Sequence, residues 1–284
     1  MRNRNAPAQK DLSIQMLNRI RQLFHDKGWP FDGELDECYF DNFCKMMQSL
    51  SEDQQEMILS LSKDFLWVQE IEYMRYFLAA FDMFIGNLDA TVRRTIVIAP
   101  LLPQNDFGKP KSSVSLFYSI KSRIVNFQRK YNMHNIVLLE SLSTFDISSF
   151  TPDSLFCLID DFVGSGETAI SAVQYFLDNG VDKSKLYILT LVAMQQGIDC
   201  LQQQDLKVFS GIIKHKAISD RTDGKAELYC ELMQEVETKI KVREEYTFGY
   251  AHSEGLVKMM RTPNNTFPIY WLKNGKNKNA PFPR

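Results

Sequence analysis

Residues 155–168 read LFCLIDDFVGSGET, and this stretch is the most informative part of the sequence. Its first five residues are apolar and have the length of a buried strand in a parallel sheet. Two adjacent carboxylates, Asp160 and Asp161, end the apolar run, and a loop of small residues follows. Thr168 then begins an amphipathic segment over residues 169–177, which indicates a helix. This order predicts a ligand site at the carboxyl end of a strand.

The small loop Gly164-Ser165-Gly166 has the chemistry of a phosphate site. Backbone N–H groups at a helix start lack intrahelical acceptors, and the helix dipole adds partial positive charge there. A phosphate monoester satisfies both, and the glycines allow the loop to turn its amides inward. Ser165 and Thr168 add hydroxyl donors.

The acidic pair suits the other end of a ribose phosphate. Ionised carboxylates only accept hydrogen bonds, so Asp160 and Asp161 match the vicinal hydroxyls of a ribose. They can also hold a Mg²⁺ ion that bridges hydroxyls and pyrophosphate. We therefore expect one loop to bind a ribose phosphate, with Mg²⁺ as the cofactor.

Two other interpretations of this stretch stay open. An Asp-Asp pair before a helix can be a turn with an N-cap. Gly164-x-Gly166-x-x-Ala169 also fits a relaxed dinucleotide-binding fingerprint. That fingerprint expects an acid after the next strand, yet the predicted strand over residues 186–193 is followed by Met-Gln-Gln. The carboxylates of Asp160 and Asp161, just before the loop, would also repel a pyrophosphate. A P-loop is excluded, because the chain has no Gly-Lys-Ser/Thr sequence.

Composition limits the class of protein. The 284 residues are 44% hydrophobic and carry a net charge of −2, so nothing in the charge indicates nucleic acid as the main ligand. Five cysteines without framework spacing indicate reduced thiols in a cytoplasm. The polar start lacks the apolar core of a secretory signal, and no run approaches the ~20 apolar residues of a membrane span. We expect a cytoplasmic protein that does not enter the membrane.

Periodicity divides the chain into four segments. We expect a flexible tail over residues 1–11, a helical N-terminal region over 12–90, an α/β domain over 91–272, and a basic, weakly packed tail over 273–284.

Within the helical region, Ser51 and Gln54 form a capping-box pattern. One long helical face is expected behind it, with Ile58, Leu61, Phe65, Val68, Ile71 and Met74.

After residue 94, strands alternate with helices. The predicted strands cover residues 95–99, 135–139, 155–159, 186–193 and 206–213, and the predicted helices cover 114–127, 169–177 and 226–242. This alternation predicts an α/β fold with a parallel sheet of about five strands and flanking helices.

The pattern apolar-apolar-Asp-Asp-x-x-x-Ser/Thr-Gly-x-Thr resembles the ribose-phosphate loop of type I phosphoribosyltransferases. In that family the two acids bind the ribose 2′ and 3′ hydroxyls, and the small loop binds the 5′-phosphate of phosphoribosyl pyrophosphate. The resemblance implies that Asp160 and Asp161 are the catalytic acids and the Mg²⁺ ligands. It implies that the phosphate site comprises Val163, Gly164, Ser165, Gly166, Glu167 and Thr168, with the Glu167 carboxylate turned away from the phosphate.

The loop after the first predicted strand is a candidate pyrophosphate site. It carries Lys109, Lys111, Ser112 and Ser113 and leaves the sheet at the same edge as the acidic pair. Two lysines and two hydroxyls before a helix can hold a pyrophosphate, and the loop resembles a divergent pyrophosphate loop of that family. The alternative is a solvated loop with a serine N-cap.

A second resemblance lies near the end of the sequence. Residues 262–266 read TPNNT and lead to Trp271, after a Phe-Gly-Tyr stretch that ends at Tyr250. This block is similar to the end of a group of bacterial phosphoribosyltransferase-like proteins from conflict or antiphage systems. Asn264 and Asn265 are expected to hydrogen-bond a base, and Tyr250 or Trp271 to stack on it. A simple turn is the alternative.

The two resemblances imply an enzyme that binds phosphoribosyl pyrophosphate or a nucleotide and transfers or cleaves at the ribose C1. They further imply an effector of a bacterial defence system, with a partner protein from a neighbouring gene such as a retron reverse transcriptase. The alternative is a non-catalytic ribose-phosphate or nucleotide sensor whose N-terminal helices signal to a partner. A scaffold with a vestigial loop is a third interpretation.

Overall fold

The computed structural model describes residues 11–32, 38–109, 111–127, 131–139 and 142–284. The tail expected over residues 1–11 falls, apart from Asp11, outside the described residues. The chain forms two compact units. The helical unit consists of Met1–Trp67 and Lys216–Arg284, and the sheet unit consists of Val68–His215.

The helices and strands follow one another in chain order. They are α1 (Ile14–Lys27), α2 (Tyr39–Gln48), α3 (Glu52–Lys63), β1 (Leu66–Trp67), α4 (Glu70–Gly86), β2 (Thr95–Pro100), α5 (Ser112–Phe127), β3 (Asn135–Leu138), β4 (Leu155–Val163), α6 (Glu167–Asp178), β5 (Leu186–Met194), α7 (Gln195–Gln202), β6 (Lys207–Lys214), α8 (Ala226–Ile240), β7 (Val257–Lys258) and α9 (Pro268–Trp271). Among the described residues, no helix has both the length and the apolar character that crossing a membrane requires.

The sheet unit contains the predicted α/β fold. Its five strands are parallel and lie in the order β3-β2-β4-β5-β6, with helices between them. The central strand β4 is longer than predicted, because it continues past Ile159 through both acids to Val163. Phe162 pairs with Val192 and Val163 with Ala193, so the equally long β5 provides backbone partners for this extension.

The helical unit joins two distant parts of the sequence around an aromatic core. Phe65 packs against Tyr270 and Phe282, with ring centroids 4.8 and 5.1 Å apart, and Phe282 also lies 5.3 Å from Trp29. The weak packing expected for residues 273–284 is therefore wrong, since Phe282 has no exposed surface. Its burial offsets the entropy of ordering a polar, turn-rich segment.

The single long helix expected after Ser51 is also wrong. Helix α3 ends at Lys63, and β1 follows it and pairs with β7 in a short two-stranded parallel sheet. The Leu66 N–H donates to the Leu256 carbonyl at 2.9 Å, so a partner almost 200 residues away in the sequence replaces the next intrahelical hydrogen bonds. The chain resumes as α4, where Ile71 is exposed rather than part of an apolar face.

The domain boundaries expected at residues 90 and 272 group the segments differently from the two units. Helix α4, expected in the N-terminal region, belongs to the sheet unit, and residues 216–272 belong to the helical unit. Helix periodicity is the same on both sides of such a boundary, so periodicity does not reveal which core a helix joins.

The predicted capping box at the start of α3 is confirmed. The Gln54 N–H donates to Ser51 Oγ at 3.3 Å, and the Ser51 N–H donates to Gln54 Oε1 at 3.1 Å. We expect Ser51→Ala to lower the free energy of unfolding by about 1 kcal/mol, measured by urea denaturation, because the Gln54 N–H loses its side-chain acceptor at the start of the helix. Ser51→Thr keeps an accepting oxygen and is expected to cost less. Equal losses for the two variants would contradict a capping role.

Candidate functional site

The acidic pair and the glycine loop lie together where β4 ends and α6 begins. We call residues 160–168 the acid-glycine loop. Gly166 is the N-cap of α6 and has a φ of +89°, a left-handed conformation that a residue with a Cβ rarely adopts. The predicted order of strand, loop and helix is therefore present in the structure, and glycine is required at its last turn.

The loop presents backbone donors that the described protein does not use. Within the described ranges, the N–H groups of Gly164, Ser165, Gly166 and Thr168 have no acceptor. The first helical bond of α6 runs from the Ile170 N–H to the Gly166 carbonyl at 3.0 Å. A helix start with such donors is suited to an anion. The Glu167 side chain is exposed.

The two acids have different surroundings. Asp161 is only 5% exposed, and its Oδ2 accepts a hydrogen bond from the Tyr73 hydroxyl at 3.3 Å. Asp160 is half-buried, and its Oδ1 accepts from the Asp161 N–H at 2.8 Å. Asp160 is therefore the more accessible of the two carboxylates, whereas Asp161 is held inside the sheet unit by a tyrosine of α4.

Helix α7 packs directly on the acid-glycine loop. A Cβ on Gly197 would lie 2.2 Å from the Gly164 carbonyl oxygen and 3.1 Å from Val163 Cγ1. A Cβ on Gly166 would in turn lie 3.2 Å from the Gly197 carbonyl oxygen. Loop and helix are thus in backbone contact, and only glycine fits at Gly197. Neither α7 nor the role of Gly197 is among the features predicted from the sequence, although a glycine inside a short amphipathic segment is a signal of close packing.

The acids fit a Mg²⁺ ion that arrives with a substrate. In the portion of the chain that is described, no group of three or more histidine, cysteine, aspartate or glutamate side chains is arranged to hold a metal. Mg²⁺ commonly binds through one or two carboxylates together with substrate oxygens and water. Asp160 and Asp161 supply that number of carboxylates. They therefore suit a Mg²⁺ ion that is also bound by the substrate and water better than a site in which the protein provides every ligand.

The candidate pyrophosphate loop is partly neutralised by its own aspartate. Lys109 Nζ and Lys111 Nζ each lie 2.9 Å from a carboxylate oxygen of Asp106. Hydrogen bonds from both lysines lower the pKa of Asp106 below its ordinary value. A pyrophosphate would have to compete with this carboxylate. Ser113 is buried, and Ser112 begins α5 with a side chain that lies outside the described set.

The four candidate base-binding residues all belong to the helical unit. Asn265 is buried, and its Nδ2 donates to Ser253 Oγ at 2.7 Å and to the Tyr250 carbonyl at 3.2 Å. Trp271 is also buried, and its Nε1 donates to the Thr266 carbonyl at 2.7 Å. These polar groups join the loops of the helical unit. The Tyr250 N–H donates to the Asn264 carbonyl at 2.8 Å, and both residues are half-buried.

Comparison with known proteins adds three findings. A family model described as PRTase-CE matches residues 55–284, which is more than half of the chain. Among solved structures, the chain is similar to the crystal structure of APRTase from Giardia lamblia complexed with 9-deazaadenine. The identity is 16%, the match covers 48% of this chain and 78% of the other, and the TM-score is 0.31. No curated protein matches the chain.

Proposed function

This chain belongs to the PRTase-CE family, and we propose that it binds a 5-phosphoribosyl compound in the acid-glycine loop and transfers or cleaves at C1 of the ribose. The observation that carries this proposal is the group of N–H donors at Gly164, Ser165, Gly166 and Thr168, for which the described chain offers no acceptor.

In this proposal the loop binds the 5-phosphate. The N–H groups of residues 164–166 and of Thr168 donate to the phosphate oxygens, and the start of α6 adds the positive end of its dipole. The Ser165 and Thr168 hydroxyls supply further donors. The close contact between Gly197 and Gly164 supports this role, because it keeps the loop in one conformation before a ligand arrives.

The two acids are proposed to hold the ribose ring. Asp160 and Asp161 accept hydrogen bonds from the 2- and 3-hydroxyls and thereby fix the orientation of the bond at C1. Mg²⁺, when bound with the substrate, would offset the negative charge that develops on a departing pyrophosphate.

Bond cleavage at C1 places positive charge on the sugar ring in the transition state. Such a reaction needs a well-positioned leaving group more than a protein nucleophile. The acid-glycine loop contributes to this positioning, because contacts at the 5-phosphate and at the 2- and 3-hydroxyls fix the ribose and thereby the direction of its bond at C1.

A specific observation favours a second candidate, a ribose-phosphate or nucleotide sensor without turnover. Lys109 and Lys111 both pair with Asp106, so the loop that would stabilise a leaving pyrophosphate has a competing internal anion. A protein that binds the sugar phosphate tightly but lacks a functional pyrophosphate site would sense the bound ligand without cleaving the bond at C1.

One experiment separates the two candidates. The protein is incubated with phosphoribosyl pyrophosphate, Mg²⁺ and pooled bases and nucleotides, and products are identified by mass spectrometry. We expect turnover, and we expect Asp160→Asn with Asp161→Asn to lower it by about 100-fold or more, because the sugar loses both charged acceptors.

The matched control is Asp153→Asn with Asp178→Asn, which removes the same charge from two exposed positions of the sheet unit. This control is expected to retain full activity. Saturable binding without products would favour the sensor, and the absence of both binding and products would contradict both candidates.

We also propose that the protein is an effector of a bacterial defence system and acts with a partner from a neighbouring gene, such as a retron reverse transcriptase. The support for this role is the resemblance of residues 248–271 to proteins of conflict systems. The test is protection of bacteria against phage by the gene together with its neighbours. If the Asp160→Asn, Asp161→Asn variant still protects against phage, the defence role does not depend on the two acids of the acid-glycine loop.

A further inference from the structure

We propose that Tyr73 is a positioning residue of this site, and that its hydroxyl holds the Asp161 carboxyl in the orientation that receives a ribose hydroxyl. This inference rests on the proposed function, since it assumes that a ribose phosphate binds at the acid-glycine loop.

The contact between Tyr73 and Asp161 is buried on both sides. The Tyr73 hydroxyl donates to Asp161 Oδ2 at 3.3 Å, and the two residues are 4% and 5% exposed. A buried carboxylate requires hydrogen-bond donors, and a buried tyrosine hydroxyl requires a partner. The two residues lie 88 positions apart in the sequence, so this pairing depends on the packing of α4 against the sheet.

A glycine of the edge strand determines how closely α4 approaches. A Cβ on Gly211 of β6 would lie 2.5 Å from the Tyr76 carbonyl oxygen, so the helix backbone rests directly on the strand. Tyr73 precedes Tyr76 by three residues and therefore lies about one turn earlier on α4. Farther along the helix, the Phe84 ring lies 4.9 Å from the Tyr187 ring of β5. The helix is thus held at two points beyond the tyrosine.

The hydroxyl contact restricts rotation of the Asp161 carboxyl. A carboxyl group turns readily about its terminal bond, and a hydrogen bond to one oxygen limits that freedom before the sugar arrives. A ribose hydroxyl then meets an acceptor that is already oriented, so less entropy is lost on binding. The phosphate end of the ligand contacts the N–H groups of the loop, so we expect its binding affinity to be independent of Tyr73.

This difference between the two ends of the ligand provides the test. Ribose 5-phosphate and inorganic phosphate are titrated, each with Mg²⁺, into the wild type and into Tyr73→Phe by isothermal calorimetry. We expect Tyr73→Phe to weaken ribose 5-phosphate binding about tenfold and to leave phosphate binding unchanged. The substitution keeps the buried ring, so the fold is expected to persist.

Tyr131→Phe is the matched control. The Tyr131 hydroxyl donates to Asp82 Oδ1 at 2.5 Å, and Asp82 lies nine residues after Tyr73 on the same helix. This variant therefore removes another tyrosine–aspartate hydrogen bond of α4, about two and a half turns of the helix beyond Tyr73. We expect it to bind both ligands like the wild type.

Three results would overturn the inference. If Tyr73→Phe binds ribose 5-phosphate as tightly as the wild type, Tyr73 has no positioning role, and the proposed function of the loop is unaffected. If Tyr73→Phe weakens both ligands to the same extent, its role is structural only. If the wild type binds neither ligand, the proposed function fails and the inference fails with it.

Discussion

Replacement of Gly197 by alanine is expected to weaken ribose 5-phosphate binding by about 100-fold, as measured by calorimetry. The new Cβ would lie 2.2 Å from the Gly164 carbonyl oxygen, which is far inside van der Waals contact. The obstacle is backbone, so no side-chain rotation can relieve the overlap. The acid-glycine loop or α7 has to move, and the donors of residues 164–168 then lose their common orientation.

The same substitution is expected to lower the free energy of unfolding by about 1–3 kcal/mol, the usual cost of an overpacked contact. Gly86→Ala is the matched control, because Gly86 also belongs to a helix of the sheet unit and a Cβ there meets nothing within 4 Å. A Gly197→Ala variant that binds ribose 5-phosphate like the wild type would show that α7 does not fix the loop.

The second large effect is a pH-dependent gain of stability in Glu237→Gln. Glu237 of α8 is 3% exposed, and both of its carboxylate oxygens accept from the Phe248 N–H, at 3.0 and 3.1 Å. Burial raises the pKa of this carboxyl from 4.5 to about 7. A group with a raised pKa in the folded state contributes stability below its unfolded pKa and loses that contribution as the pH rises through its folded pKa.

The wild type should therefore lose stability between pH 4.5 and pH 8, by up to about 3 kcal/mol from this group alone. Glutamine keeps an acceptor for the Phe248 N–H and carries no charge at any pH. We expect Glu237→Gln to equal the wild type near pH 4 and to exceed it by about 2–3 kcal/mol at pH 8, measured by urea denaturation across this range.

Glu231→Gln on the same helix is the control, since Glu231 is exposed. Its stability should follow that of the wild type at every pH. Parallel pH profiles for the wild type and Glu237→Gln would show that Glu237 does not ionise in this range.

The features that the sequence predicted well are local ones. The acid-glycine loop is a run of adjacent residues whose chemistry is visible in the order strand, acids, glycines and helix. The strands of the sheet appear as short apolar runs because both faces of a parallel sheet are covered. The extension of β4 through Asp160 and Asp161 was missed because carboxylates disfavour strands, and only the ladder to β5 reverses that preference.

The features that escaped prediction depend on partners distant in the sequence. Tyr73 appears in the sequence as one aromatic residue among many in a helical stretch, and only the packing of α4 places its hydroxyl on Asp161. Gly197 gains its importance from a carbonyl oxygen 33 residues earlier. The break after α3 follows from the pairing of β1 with β7, which no helical pattern indicates.

The burial of Phe282 among Trp29, Phe65 and Tyr270 has a consequence for biosynthesis. The ribosome completes the whole sheet unit before it reaches the last aromatic residue of the helical unit. At 5–20 residues per second, about 10–40 s separate the translation of Trp67 from that of Phe282. During this interval the apolar faces of α1, α2 and α3 lack their final covering, and such transiently exposed hydrophobic surface favours aggregation of a nascent chain, whereas the sheet unit is complete once residue 215 has been added.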